Sequence, residues 1–222
     1  MKLLPLDTPE IIELVAYWLA QKENYQWLDF GNGKQIVTPA LLRIMAQRQT
    51  HFMRAYTSDR DDTPVGICCL NTVDRHFKSA TLWGAAGDKS FRNRGLGTLA
   101  ASKVLTLAFR DLGLHSINTW VVETNPSLRL IERLNFRFIG RLRQCHFMDG
   151  HAYDRLLFDL LASEHVDIES DRRPRSQRSL QETVRGNHEE DRGTGSESGN
   201  GPAPLKARAT VETGAGRVDQ SG

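Results

Sequence analysis

The stretch Phe91-Arg92-Asn93-Arg94-Gly95-Leu96-Gly97-Thr98 decides how this chain is read. An extended run ends just before it, near Asp88, and an apolar-periodic helix begins within it, near Leu96. Two glycines with one residue between them let the backbone turn without a Cβ penalty and approach a ligand closely. Several N–H groups and the helix N-terminus can then face one anion. Arg92 and Arg94 add fixed positive charge. Two readings follow: a phosphate-cradling turn, or a tight strand-to-helix connection with no ligand.

Downstream, Leu99, Val104, Leu105, Ala108 and Phe109 share one helix side, and Leu112-Gly113 forms a stop. Ile117 to Val122 reads as a strand, and Pro126-Ser127 opens a helix running through Leu134. Arg137 to His146 and Tyr153 to Leu161 then form a hairpin around Met148-Asp149-Gly150. Upstream, Ser79 to Ala86 is a strand, and His51 to Ser58 pairs with Val65 to Val73 across the polar turn from Asp59 to Pro64. Two helices precede these strands. Thr8-Pro9 caps the first, with Ile11, Leu14, Val15, Trp18 and Leu19 on its apolar face to about Gln21; Thr38-Pro39 caps the second, with Leu41, Leu42, Ile44 and Met45, to about Gln49. Between them residues 22–37 read as a loop whose Tyr25, Trp27 and Phe30 either plug the core or line a pocket. A helix joining two neighbouring parallel strands places the glycine turn at their C-terminal ends, where an extended ligand can lie if the strands part.

From about Val166 the character of the chain changes. The last 57 residues hold no Phe, Tyr, Trp, Cys or Met, and their nine Lys or Arg nearly cancel ten Asp or Glu. Such a segment cannot bury enough apolar area to offset chain entropy. The expected organisation is one domain over 1–165 and a disordered polar tail over 166–222. Formal net charge over all 222 residues is +2 with signs interspersed, so no nucleic-acid stripe and no membrane-binding face is expected. No signal-like apolar core follows Met1-Lys2, which points to the cytoplasm. Cys68, Cys69 and Cys145 lack the spacing of a zinc site and read as buried thiols, and no metal is expected.

With turn and helices in place, residues 1–162 resemble the GCN5-related N-acetyltransferases, and most closely their ribosomal-protein N-terminal acetyltransferase branch. The family's acetyl-CoA motif stands as Arg92-Asn93-Arg94-Gly95-Leu96-Gly97, and the resemblance implies that this backbone holds the coenzyme A pyrophosphate, flanked by Thr98. The family's later stretch looks like Asn125-Pro126-Ser127 followed by Asn135-Phe136, with Asn125 toward the pantetheine arm. The strand Gly140-Arg141-Leu142-Arg143-Gln144 leads to His146 at the family's polar position near the acetyl group. The implied fold is α/β (α+β): a mixed, mainly antiparallel central sheet with splayed parallel strands, flanked by helices. Three positions depart from the pattern. Asn125 stands one step late, Ile131 occupies the place of the usual proton-donating Tyr, and Asn135 replaces a Gly.

Acetyl transfer to an amine needs a base for the amine proton and an acid for the departing thiolate. His suits the first near neutral pH, so His146 is the candidate base, against the reading that it merely ends a strand beside Tyr153. Glu123, Asp74, His76 and Asp154 are its reserves. Ser127 is the candidate acid, against a role as helix cap. Carbonyl polarisation falls to a backbone N–H within residues 85–87. The function expected is acetyl transfer from acetyl-CoA to a primary amine, either a small molecule or a protein N-terminus, by direct attack in a ternary complex of a monomer or homodimer. The rivals are an acyl-CoA-binding module without turnover and a generic α/β interaction domain.

Overall fold

The computed structural model describes residues 1–29 and 37–168. Seven strands form one sheet in the order β1-β2-β3-β4-β5-β7-β6. They are β1 (Leu3–Pro5), β2 (Phe52–Thr57), β3 (Pro64–Asp74), β4 (Ser79–Ala86), β5 (Ser116–Val122), β6 (Arg137–Met148) and β7 (His151–Leu161). Helices α1 (Pro9–Leu19), α2 (Lys22–Tyr25), α3 (Pro39–Gln47), α4 (Leu96–Arg110) and α5 (Leu128–Arg133) complete the set. Only β4 and β5 run parallel; every other pair is antiparallel.

Two apolar clusters sandwich the sheet. One holds α4 and α5 through Leu96, Ala100, Val104, Leu105, Ile131 and Leu134. The other holds α1 and α3 through Ile12, Val15, Leu19, Leu42 and Met45. The caps expected at Thr8 and Thr38 form: their hydroxyl oxygens accept the N–H groups of Ile11 (3.5 Å) and Leu41 (3.2 Å). The buried stripe of α1 is Ile12, Val15, Ala16 and Leu19 with Trp18, so Ile11 and Leu14 lie at its edge, and Ile44 of α3 is exposed. Both helices end about two residues earlier than expected.

Two elements were missing from the sequence reading. Strand β1 adds to β2 ahead of any helix, and α2 occupies part of the expected loop. Phe30 falls outside the described residues. Asn24, not an aromatic, is the buried side chain there, and its amide donates to the Trp18 carbonyl at 2.8 Å. The β6–β7 hairpin closes on Asp149-Gly150, both at positive φ (52° and 79°), the twist a two-residue hairpin needs. The described residues continue past 165, the expected domain boundary, to Ile168. The Ile168 N–H donates to Ser102 Oγ (3.0 Å), and Thr106 Oγ1 bonds His165 Nε2 (2.9 Å), fastening residues 165–168 to α4. The rest of the expected tail lies outside the described residues.

What positions the site is the behaviour of β4 and β5. Their parallel pairing covers Ser79↔Ser116, Ala80↔Ile117 and Thr81↔Asn118 and then stops. Beyond it Thr119 Oγ1 donates to the Leu82 carbonyl (2.9 Å), while β4 follows β3 as far as Ala86 and β5 follows β7 as far as Val122. The two strands therefore part toward their C-terminal ends, where the glycine turn lies.

Candidate active site

On one side of the opening, Gly95 caps α4 at φ 77°, a conformation that only glycine takes without strain, and Asn93 stands at φ 62°. The first helical bond runs from the Leu99 N–H to the Gly95 carbonyl (3.0 Å), and no side chain caps the helix. The N–H groups of Leu96, Gly97 and Thr98 consequently have no partner within the helix and point out of its N-terminus. Leu96 contributes only backbone here, since its side chain is buried in the core. A Cβ on Gly97 would meet nothing closer than Leu130 Cδ1 at 3.5 Å. Protein packing does not demand glycine at 97, and its bare backbone leaves room for a ligand to approach. Arg94 lies over the Phe91 ring (4.7 Å), and Arg92 sits 3.5 Å from Glu23. Lys89 donates to the Asn24 side chain and to the Ala86 carbonyl (2.7 Å); burial, then neighbouring Arg92, pushes its pKa down. These residues fit a diphosphate.

Along the wall of the opening the β3–β4 ladder fixes which backbone groups are free. The N–H groups of Gly87 and Asp88 both donate to the Val65 carbonyl (2.9 and 3.0 Å), so Gly87 is not available as a polarising donor. Antiparallel alternation then turns Ala85 toward β3 and leaves Gly84 and Ala86 facing the gap. Gly87 is small for another reason: a Cβ there would meet the Trp18 ring at 2.1 Å.

At the far side, the Asn125 carboxamide oxygen accepts the Ser127 N–H (2.9 Å). Ser127 itself is helical (φ −66°, ψ −11°) and makes no cap bond, so the capping role weighed for it is absent and its hydroxyl stays available. Glu123 Oε1 accepts the Asp154 N–H (3.0 Å), and its other oxygen stands 4.0 Å from Arg141. Asp154 is fully engaged, by the Gln144 N–H at 2.7 Å and Arg141 at 3.0 Å. This pairing uses a bulge in β6 between Leu142 and His146, and an open depression of about 620 Å³ lined by Arg143, Gln144 and Asp154 lies there. Asp74 accepts from the N–H groups of His76 and Phe77 in the β3–β4 turn. That turn is at the opposite end of β4, about 20 Å or more from Ala86 at strand rise, which removes both reserves from the site.

His146 is buried (5% exposed) and has no free nitrogen. Nε2 must donate, because it meets the Gln26 carbonyl at 2.7 Å, and Nδ1 accepts from Arg155 Nε and Nη2 at 3.3 and 3.2 Å. A proton arriving at Nδ1 would break both guanidinium bonds. In this geometry His146 holds Arg155, and the expected role as base would require those contacts to break. Arg155 stacks on Trp120 (3.9 Å) and donates to Asp29 (3.0 Å). Sequence reasoning missed Arg155 and Asp29, which no spacing marks because they meet across 126 residues.

Residues 22–29 thus cross the opening. Glu23 and Asn24 hold the glycine-turn side, while Gln26 and Asp29 hold β6 and β7, and Lys22 pairs with Asp149 of the hairpin turn (2.6 Å).

A sheet whose one parallel pair splays beside an uncapped helix N-terminus offers a place for an extended ligand that carries a diphosphate. The model of the acetyltransferase (GNAT) family matches residues 17–136, and the chain belongs to that family of acyltransferases. Among its relatives is YokL, a prophage-derived N-acetyltransferase of Bacillus subtilis, 32% identical over 123 residues, which are 54% of this chain and 68% of YokL. The putative ribosomal N-acetyltransferase YdaF of the same organism is 28% identical over 107 residues, covering 47% of this chain and 57% of YdaF. A similar structure is the Vibrio cholerae spermidine N-acetyltransferase in complex with CoA and spermine, at TM-score 0.66, 16% identity and coverage of 73% of this chain and 96% of the other. The ribosomal-protein-S5-alanine acetyltransferase of Vibrio fischeri superposes at TM-score 0.59 with 15% identity, covering 72% and 92%.

Proposed function

We propose that this protein moves an acetyl group from acetyl-CoA to a primary amine by direct attack within a ternary complex, in the cytoplasm. The observation that carries the reading is the parting of β4 and β5 after Thr81 and Asn118, beside three uncapped N–H groups of α4. In this reading Leu96, Gly97 and Thr98 hold the diphosphate through backbone, with Arg92, Asn93, Arg94 and Gly95 shaping the turn. Acetyl-CoA supplies an activated thioester. The Gly84 or Ala86 N–H polarises its carbonyl, and the Asn125 amide nitrogen, free of the Ser127 contact, serves the pantetheine arm. Glu123 takes the amine proton, directly or through one water, because it keeps an oxygen that no donor engages at hydrogen-bond distance. Ser127 returns a proton toward the thiolate, the role Ile131 cannot fill.

The acceptor is a small amine or a protein N-terminus. The spermidine and ribosomal-protein enzymes that share the fold motivate both, and the ribosomal branch rests on the strand from Gly140 to Gln144. The test is CoA release from acetyl-CoA and propionyl-CoA against a panel of polyamines, amino acids and N-terminal peptides. Turnover with one acceptor class supports the reading; tight CoA binding without release for any amine would make the protein a binding module.

A further inference from the structure

Tyr56 enters neither the family motif nor the chemistry above, yet the fold makes room for it at a cost. It lies on β2 directly opposite Gly66 of β3, and its ring covers that glycine. A Cβ at Gly66 would stand 2.2 Å from Tyr56 Oη and 2.3 Å from Cζ. A glycine inside a central strand is unfavourable relative to alanine. The ladder register also shifts beside it, from Tyr56↔Gly66 to Thr57↔Pro64, and such bulges re-aim a side chain. The result is that Oη arrives 3.7 Å from the Cβ position of Gly97, the second residue of α4. Tyr56 is only 5% exposed, so its ring is buried, while Oη makes no hydrogen bond to a described residue and keeps a little contact with solvent. Burial pushes the pKa of this phenol up, so it remains a protonated donor at physiological pH.

With its ring buried and its hydroxyl unengaged by the described residues, Tyr56 keeps a donor free beside α4. It sits under the same helix terminus as the N–H groups of Leu96, Gly97 and Thr98, which can only donate, and the phenol can donate alongside them. Donors without an acceptor call for an anion. We infer that the Tyr56 hydroxyl is a further ligand of the cofactor, donating to a phosphoryl oxygen of the diphosphate that α4 cradles. The inference rests on the cradle reading above and adds to it a side chain from the strand layer beneath α4.

The experiment is calorimetry of CoA with the full chain and with Tyr56→Phe. Phenylalanine keeps the ring over Gly66, so the melting temperature should hold, while a lost bond to a charged acceptor should weaken CoA by about tenfold or more. ADP 3′-phosphate, which carries the diphosphate without the pantetheine arm, should show the same fold-loss, and the acceptor KM should not move. As a measurement without that deletion, 3-fluorotyrosine at position 56 should shift its fluorine resonance when CoA is added. Wild-type affinity in Tyr56→Phe, an unmoved fluorine signal at saturating CoA, or a penalty seen with CoA but not with ADP 3′-phosphate overturns the assignment. A wild-type chain that binds no CoA overturns the cradle itself, a separate and recognisable failure.

Discussion

Replacing His146 by alanine separates an anchor from a base. The ring is 5% exposed, donates to the Gln26 carbonyl at 2.7 Å and accepts two contacts from Arg155. Its removal strands the Gln26 carbonyl and takes one support from a guanidinium that Asp29 and Trp120 still hold. A stranded buried acceptor costs about 1–3 kcal/mol, and lost ring packing adds to it, so about 2–3 kcal/mol is expected. For a domain of this size that corresponds to a fall in Tm of about 4–10 °C. Gln26 and Asp29 belong to the segment across the opening, so the acceptor KM should rise while acetyl-CoA affinity stays. Scanning calorimetry, followed by pH–rate profiles of CoA release, checks this. The acid limb of kcat should survive in His146→Ala and vanish in Glu123→Gln. Gln at 123 retains the bond from the Asp154 N–H, so that variant should stay folded and lose about 10²–10⁴-fold in kcat. A His146→Ala protein with unchanged Tm and no acid limb would refute the reasoning and return His146 to the role of base.

Gly97→Ala should act with opposite signs on fold and ligand. Alanine stabilises the helix by up to about 1 kcal/mol, and its Cβ finds ordinary contacts at 3.5 and 3.7 Å, so Tm should not fall while CoA affinity does; equal affinity by calorimetry would remove Gly97 from the cradle. A chain ending at Ile168 should keep the full Tm, and one ending at Glu164 should lose stability, because the contacts of His165 and Ile168 with Thr106 and Ser102 go with it. Equal melting of the two chains would show those contacts to be idle. Burial lowers the His165 pKa, and Asp167 opposes the shift only partly. With the folded value below the unfolded one of about 6.5, the unfolded chain binds more protons between the two. That share of stability is present above the unfolded value and is lost as pH falls below about 6.5 toward the folded value. Melting curves at about pH 7.5 and 5.5 should converge more in His165→Asn than in the parent; an identical pH dependence would exclude His165 as its source.

The parts of the fold legible in sequence are those whose signals are local. Thr8-Pro9 and Thr38-Pro39 cap their helices with their own side chains, Gly95 alone tolerates φ 77°, and Asp149-Gly150 supplies a two-residue hairpin turn. Strand β1 escaped because it is three residues with a proline, and only its register against β2 makes it a strand. Helix α2 escaped because Gln21 offers no cap; a buried amide reaching Trp18 and an ammonium from Lys89 hold it instead. The position of His146 was legible and its contacts were not. Its two nitrogens are claimed by Gln26, 120 residues away, and by Arg155, nine residues away across a bulge. Ser127 reverses the case: its place at a helix start suggested capping, yet Asn125 makes the local turn and frees the hydroxyl.

The segment from Lys22 to Asp29 ties these observations together. Most of its ties are ion pairs between partly exposed groups, such as Lys22 with Asp149 and Arg92 with Glu23, which solvent screens and which add little. Only the Gln26 carbonyl and the Asn24 amide are bound to buried partners. Local opening of such a segment costs far less than unfolding the sheet beneath it. It touches the glycine turn through Arg92 and Lys89 and the β6–β7 side through His146 and Arg155, so its opening would free contacts on both sides of the gap at once.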